Sequence, residues 1–449
     1  MKKIFQYIML AVVTIVMASC TSDIEETTAT TGKSNVQLVV GEFPAFGDSQ
    51  TRAIGTPDEG KTSWAEGDEL LLEIDNTSYG RHNATFTYNG KSWELTSGEL
   101  VYLEGDPAYI SHVYYAPNYK WEAGKLVLKE GKDPGTDEYI EGKARITGNG
   151  ETITVSFAEA TRKYSRLRIA TLPNEQITVD TEYFTPAGSS DMEQNGNYTL
   201  TSDEKGNAYL YGTFENNSEV TVKYREAALT TYTFSQATES AKSYALDATV
   251  ISANSAEEIK SAIEQKVADG KTTIRLNLAP NAGTNEFMAI REAIKGAAPN
   301  DLGTIELTII GVETIPEEAF YKMLQLKSVR MSDVKEIKKY AFKECQYLTV
   351  VEAPSLNKLC SGAFKKCDQL AKLTFGPINY ADERNWPIFE YITPNIDLIL
   401  SDYQKEMIET DSYLYTANND RDYAGSDEHN SKNFLGREFR SITCRYKVK

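Results

Sequence analysis

Catalytic chemistry needs titratable or nucleophilic side chains at short spacing, and few such groupings occur in these 449 residues. Three histidines, His82, His112 and His429, are scattered along the chain, too few for a histidine-based active site or a histidine-rich metal centre. Glu66, Asp68 and Glu69 form a carboxylate cluster of the kind acid–base catalysis uses. They sit in a Trp-x-x-Gly-Asp turn ahead of an apolar run, however, where such residues shape the turn into a strand. Asn418, Asn419, Asp420 and Asp422 offer the hard oxygens that calcium prefers, without the register of a calcium-binding loop. No nucleophile elbow, zinc-protease pair or phosphate-cradling glycine loop occurs in a usable context. Cys345 and Cys367 follow Met323 at one constant interval, so the three share a slot. A thioether in that slot marks it as a buried soft apolar position, in preference to a disulfide or a metal ligand. Cys360 and Cys444 add no zinc-type spacing. The expectation is a chain with no catalytic residues, no metal and no cofactor, and hence not an enzyme.

The elements that would position any binding residues can be read from composition and period. Lys and Arg number 47 against 65 Asp and Glu, a net charge of −18 that argues against nucleic acid and against electrostatic adhesion to anionic lipid. The 27 tyrosines, against 16 Phe and 4 Trp, favour strands and half-exposed surfaces. From Val36 to about Val250 short runs alternate with period two, among them Glu69–Ile74, Thr152–Phe157 and Val220–Tyr224, each bounded by Gly, Asn, Asp or Pro. This pattern predicts two antiparallel β-sandwich domains, 36–147 and 148–250, divided at the Gly148-Asn149-Gly150 turn. Beyond Val250 the period changes. Ile259, Ile263 and Val267 line one face of a helix over 256–268, opened by Ser255 as N-cap. A strand at 273–278, a helix at 287–294 and a strand at 304–309 then follow, as in crossover units of a parallel sheet.

The strongest pattern is an internal repeat. Ala-Phe recurs at the same constant interval, at Ala319-Phe320, Ala341-Phe342 and Ala363-Phe364, and Leu326, Leu348 and Leu370 hold the next apolar slot. Val329, Val351 and Leu373 follow in turn. An interval of this length with an L-x-x-L-x-L core predicts an α/β leucine-rich solenoid over 251–449, each copy giving one short parallel strand. The 304–309 strand would cap it at one end and Phe434–Ile442 at the other, with a short helix over Tyr403–Ile408. The I-x-x-x-A-F-x-x-C-x-x-L signature resembles the BspA-type leucine-rich repeats of bacterial surface and adhesin proteins. That resemblance implies a head that binds a surface protein of host or bacterium, or a glycan. Candidate ligand-contacting residues flank each repeat strand: Ser328, Arg330, Val350, Glu352, Lys372 and Thr374. They are small and mixed, with no aromatic ladder and no single-sign patch.

The N-terminal segment reads as an address. Lys2 and Lys3, an apolar stretch from Ile8 to Val16, and Met17-Ala18-Ser19 before Cys20 form a secretory signal peptide over 1–19. Cys20 in this context resembles the lipidated cysteine of bacterial lipoproteins, which implies acylation there and contact with the membrane through the lipid anchor alone. Residues 20–35 are polar and acidic, a flexible tether, and Asp23, Glu25 and Glu26 resemble the surface-export signal of Bacteroidetes lipoproteins. Thr51-Arg52-Ala53, the Ser63-Trp-Ala-Glu-Gly-Asp68 turn and the Ala108–Pro117 segment together are similar to the fimbrillin-like family of Bacteroidetes surface proteins. That likeness implies paired transthyretin-like β-domains, and it implies Arg52 as a protease processing site. The expected protein is a monomeric lipoprotein of the cell outer membrane, surface-exposed and adhesive. Alternatives are a fimbrial anchor or tip subunit assembled by strand exchange, and a glycan-binding lipoprotein of an uptake system.

Overall fold

The computed structural model describes residues 37–46, 61–76, 80–98, 112–147, 152–157, 162–382, 387–392, 395–402, 433–435 and 437–446. Cys20, Arg52, the Tyr403–Ile408 segment and the Asn418–Asp422 run lie outside these residues.

The first β-rich unit contains β1 (Gln37–Val40), β2 (Glu69–Asn76), β3 (Gly80–Tyr88), β4 (Trp93–Gly98) and β5 (His112–Tyr115). It continues with β6 (Tyr119–Glu122), β7 (Lys125–Leu128), β8 (Ile140–Thr147) and β9 (Thr152–Ser156). Seven of these strands form one hydrogen-bonded path in the order β1-β9-β8-β5-β2-β3-β4, while β6 and β7 pair as a hairpin. Alternation buries Leu70 and Leu72 of β2 on one face with Phe86 and Val113. Leu71 turns to the other face, where Ala116 and Tyr119 meet it beside the β6–β7 hairpin. Two separate antiparallel sheets are therefore not what forms. The single sheet curls, because Trp64 donates its indole N–H to Gly41 O at the end of β1 (2.8 Å) and sets its ring 5.2 Å from Trp93 at the start of β4. The two ends of the strand order thus close on one indole. The antiparallel expectation also fails at β1, which pairs parallel with β9, and the expected division at Gly148 fails too, because β9 pairs with β8 and so belongs to the first unit.

The second unit holds β10 (Ser165–Ala170), β11 (Gln176–Pro186), β12 (Glu193–Thr201), β13 (Asn207–Phe214), β14 (Glu219–Tyr224), β15 (Ala227–Thr233) and β16 (Ser243–Asp247). The order is β15-β14-β11-β13-β10-β16, with β12 paired to β11. Here too one edge strand, β16, runs parallel to its neighbour β10. The core centres on Phe184, Phe214 and Phe234, whose rings lie 4.5 and 4.6 Å apart in succession.

The C-terminal part begins with β17 (Ile251–Ala253), α1 (Ala256–Ala268), β18 (Thr273–Leu278), α2 (Thr284–Ala297) and β19 (Ile305–Ile310). The repeats supply β20 (Thr314–Ile315), β21 (Leu326–Met331), β22 (Glu336–Ile337), β23 (Val350–Ala353), β24 (Lys358–Cys360), β25 (Lys372–Phe375) and β26 (Tyr380–Asp382). β27 (Asp397–Ser401), β28 (Asn433–Phe434), β29 (Arg437–Glu438) and β30 (Ser441–Tyr446) complete it. An all-parallel sheet runs β17-β18-β19-β21-β23-β25-β27-β30, and a second parallel ladder runs β20-β22-β24-β26. Ser255 caps α1 by accepting from the Glu258 N–H at 3.2 Å, as its spacing predicts. The strand at 305–310 does not cap the stack. Ile274 and Leu276 of β18 stand in register with Leu307 and Ile309, so the apolar layer continues for another strand and α1 and α2 cover it. At the far end Phe434 and Phe439 are buried as expected, but Ser441–Tyr446 also adds a strand beside β27.

Candidate functional site

The six candidate residues stand in two register rows on the outer face of the large sheet. Glu306, Ser328, Val350, Lys372 and Asp397 form one row, and Arg275, Thr308, Arg330, Glu352 and Thr374 form the other. Arg330, Val350, Glu352 and Thr374 are half-buried and Lys372 is exposed. Ser328 departs from expectation: it is only 8% exposed, a short side chain set between the longer Glu306 and Val350. Charges along the rows are largely matched. Arg330 donates to Glu352 at 2.9 Å, and Arg440 reaches Asp397 at 2.8 Å.

The beginning of the same face is covered. Arg275 and Thr308 are buried because the second β-rich unit docks there. The Arg275 Nε donates to Leu229 O at 2.6 Å and its guanidinium lies 3.9 Å from Asp247, while Ile310 packs into the core of the second unit. Lys266 of α1 bonds the Thr249 hydroxyl at 2.5 Å across the same seam. In the row of Arg275 and Thr308 the accessible length therefore starts at Arg330. Neither the seam nor its key residue, Arg275, carries a local signature, since an arginine in an alternating strand reads as solvent-facing.

Two of the three carboxylates singled out for acid–base work, Asp68 and Glu69, have structural partners, and Glu66 is exposed. Asp68 accepts from Lys61 (2.7 Å), from the Ala65 N–H (2.7 Å) and from the Tyr115 hydroxyl (3.2 Å), and Glu69 pairs with Lys129 at 3.1 Å. Among the described residues no group of three or more His, Cys, Asp or Glu is arranged to hold a metal ion, and no helix is long and apolar enough to cross a membrane. A cleft of about 410 Å³ lies where the two β-rich units meet, lined by Tyr139, Glu141, Lys143, Lys163, Thr185 and Ser189 among others. Burial drives the Tyr139 phenol pKa up, so it is a neutral donor there.

Cys345 and Cys367 are buried thiols, with no disulfide among the described cysteines. Each donates to the backbone carbonyl of the preceding repeat, Cys345 Sγ to Phe320 O at 2.9 Å and Cys367 Sγ to Phe342 O at 3.0 Å. Burial pushes the Cys345 thiol up to about 12 and Cys367 well above its usual value. At pH 8 burial therefore holds both thiols protonated. Iodoacetamide at pH 8 should leave both residues unmodified in the native protein and label both in denaturant, as peptide masses will read. Native labelling at either position would mean that the repeat core opens.

The turns that carry Ala-Phe hold a second feature. Lys322, Tyr321, Lys343, Tyr340 and Lys339 alternate cation and ring along the edge of the stack. The periodic core residues mask this pattern in the sequence, because it lies in the slots that differ between copies.

Residues 301–404 match the family model of the BspA type leucine rich repeat region, in six copies. Among solved structures, a leucine-rich repeat protein of T. pallidum is 18% identical at a TM-score of 0.17, the match covering 21% of this chain and 58% of that one. The minor pilin GBS52 of Streptococcus agalactiae is 10% identical at a TM-score of 0.17, over 48% of this chain and 94% of that one. No curated protein sequence matches the chain. The chain spans little more than half of the leucine-rich repeat structure it matches. The register read from Ala319-Phe320, Ala341-Phe342 and Ala363-Phe364 is thus matched, over 301–404, by the BspA type leucine rich repeat.

Proposed function

We propose that this chain is a surface lipoprotein of the bacterial outer membrane that adheres to a protein partner through its repeat solenoid. In this reading Cys20 carries the lipid, residues 20–35 form the tether, the two fimbrillin-like β-domains act as stalk, and the mature protein is a monomer. The supporting observation is the accessible part of the two rows, Val350 and Lys372 in one and Arg330, Glu352 and Thr374 in the other, on strands of a segment that matches the BspA-type repeat. The stalk occupies the opposite end of that face through Arg275, which leaves these residues accessible. A parallel sheet face offers side chains at fixed strand spacing to a partner surface.

The test has two arms. Cys20→Ala should move the protein from the membrane fraction to the soluble fraction, since acyl chains are the anchor this reading requires. The double variant Glu352→Lys/Lys372→Glu should lower affinity for a captured surface protein at least tenfold, about 1.4 kcal/mol, with unchanged melting. A membrane-bound Cys20→Ala protein overturns the lipoprotein reading, and an unaffected double variant overturns the sheet face.

Assembly by strand exchange is the second reading, and β1 favours it. β1 is a parallel edge strand whose Leu38 is fully buried, so cleavage at Arg52 and loss of β1 would open an apolar groove beside β9. Against it, the strand that would be donated from the second unit, β16, is tied to the repeats through Asp247 and Arg275. SDS-resistant ladders after trace trypsin on residues 21–449 would favour assembly over the monomer.

A further inference from the structure

The basic side chains of this acidic protein are concentrated in the repeats. Between Lys322 and Lys372 there are 11 Lys and Arg against 5 Asp and Glu, in a chain whose net charge is −18. At physiological salt the Debye length is about 8 Å, so the distant acidic units do not cancel this local charge.

Along the turn edge the cations are held by aromatic rings. The Lys322 Nζ lies 5.1 Å from the Tyr321 ring. Lys343 stands between two rings, 5.1 Å from Tyr321 and 4.7 Å from Tyr340, and Lys339 lies 4.7 Å from Tyr340 on that ring as well. Backbone bonds stack the turns that carry them: the Lys322 N–H donates to Lys343 O at 2.9 Å, Glu344 to Lys365 O at 2.8 Å, and Lys366 to Glu390 O at 2.9 Å. Helix α2 adds two cations to the same edge, with Arg291 donating to Glu318 O at 2.8 Å and Lys295 lying 3.5 Å from Tyr321 O. Partial burial pushes the Lys295 pKa down, and the charges of Arg291 and Lys322 push it further. The Lys322 pKa, by contrast, is held up by Tyr321 and Glu344. Glu317, Glu318, Glu344 and Glu390 are acids of these turns; Glu344 lies 3.5 Å from Lys322 and 3.9 Å from Lys343, and Glu390 pairs with Lys365 at 2.6 Å.

The backbone of this slot is left-handed in all three copies, Glu318 at φ +55° included. Tyr340 has φ +57°, and in the equivalent slot of the next repeat stands Gly362 at φ +63°. The left-handed region is disfavoured for a bulky side chain, and glycine occupies it without that cost. Glu318 shows that the slot takes a non-glycine residue without a ring, so the conformation belongs to the turn, while the Tyr340 ring itself lies 4.7 Å from both Lys339 and Lys343.

We infer that the turn edge formed by Arg291, Lys295, Lys322, Lys339, Lys343 and Lys366 binds a linear polysaccharide bearing sulfate and carboxylate groups. The rings are flanked by ammonium groups, so they serve as pillars for cations instead of stacking platforms. This disfavours single-stranded nucleic acid, whose bases need open aromatic faces. An ammonium is a compact point charge suited to a sulfate on a flexible chain. The site shares no residue with the sheet face proposed above for protein adhesion, so each stands or falls separately.

The test measures binding of the chain from residue 21 onward to heparin, with polyglutamate and oligo-dT as competing polyanions, from 0.05 to 0.5 M NaCl. Heparin should bind well over tenfold more tightly than either competitor. Lys339→Gln/Lys366→Gln should weaken it at least tenfold without changing the melting temperature, lowering the salt slope by about one per lysine removed. Tyr340→Ala should weaken it severalfold with charge unchanged. Glu344→Gln should strengthen it severalfold, because it frees Lys322 and Lys343, an effect that damage to the fold cannot mimic. Equal binding of polyglutamate or oligo-dT, lysine variants with wild-type affinity, or a Glu344→Gln variant that binds no better would each overturn the assignment.

Discussion

Phe342→Ala should destabilise the repeat domain by about 3–5 kcal/mol. Six phenylalanines form a column through the stack. Phe320, Phe342, Phe364 and Phe389 lie nearly parallel, with centroids 5.1, 5.4 and 5.7 Å apart in succession. The column is closed at each end by an edge-on ring, Phe287 of α2 at 5.7 Å and Phe439 at 5.5 Å. Phe342 is fully buried and has a stacked ring on both sides. Its removal therefore forfeits the buried area and both aromatic contacts, and leaves a void that two rigid neighbours cannot collapse into. Because each repeat contacts only the next, the loss falls on the continuity of the stack. Amide exchange should show protection lost across 337–400 and retained across 165–247. Phe342→Leu keeps most of the volume and should cost about 1 kcal/mol. Unchanged exchange in Phe342→Ala would mean that the column does not carry the stability of the repeats.

That column was legible because its slot is invariant at a fixed period. Phe320, Phe342 and Phe364 are read directly from the register. Phe389 is not, since the step from Phe364 is longer than the steps before it. Local chemistry was legible at Ser255, which caps a helix, but Gly148-Asn149-Gly150 does not divide the two units, because β9 follows it and pairs with β8 and β1 in the first sheet. Long-range closure was not legible. The curl of the first sheet depends on Trp64 meeting Gly41 O and Trp93, contacts between distant positions that no period encodes. The same holds for the candidate surfaces. Strand alternation correctly put Arg330, Glu352 and Lys372 on an outer face. Ser328 and Arg275 obey the same alternation yet are buried, one by the length of its neighbours and the other by a docked domain. The Lys–Tyr edge was hidden for a different reason. Its residues occupy unlike slots in each copy, so they align only in space.

Glu138→Ala should cost about 3–5 kcal/mol and loosen the joint between the two β-rich units. Glu138 precedes β8 in the first unit, and Arg162 precedes β10 in the second. Their side chains are 4% and 1% exposed. The Arg162 guanidinium donates Nη2 to Oε1 at 3.0 Å and Nε to Oε2 at 3.2 Å, and sends Nη1 to Pro44 O at 2.7 Å. Its carbon lies 3.8 Å from the centre of the Phe46 ring. The Tyr164 hydroxyl donates to the same carboxylate at 2.6 Å and accepts from the Tyr139 N–H at 3.1 Å, and burial keeps that phenol neutral by pushing its pKa well up. Every donor and acceptor in this knot therefore crosses or abuts the joint. Truncating Glu138 alone leaves a cation without its counter-charge where water does not reach, which is the costly case. Replacing both partners by apolar groups removes the desolvation penalty together with the attraction. Glu138→Leu/Arg162→Met, made with Tyr164→Phe so that no hydroxyl is orphaned, should cost less than Glu138→Ala, because the groups it deprives of a partner are the neutral Tyr139 N–H and Pro44 O instead of a charge. Denaturant midpoints of the single and combined variants measure the coupling directly. Single and combined losses that simply add would show that Glu138 and Arg162 act independently, and the joint would then owe its rigidity to the Tyr211 N–H···Gly135 O bond and the packing around it.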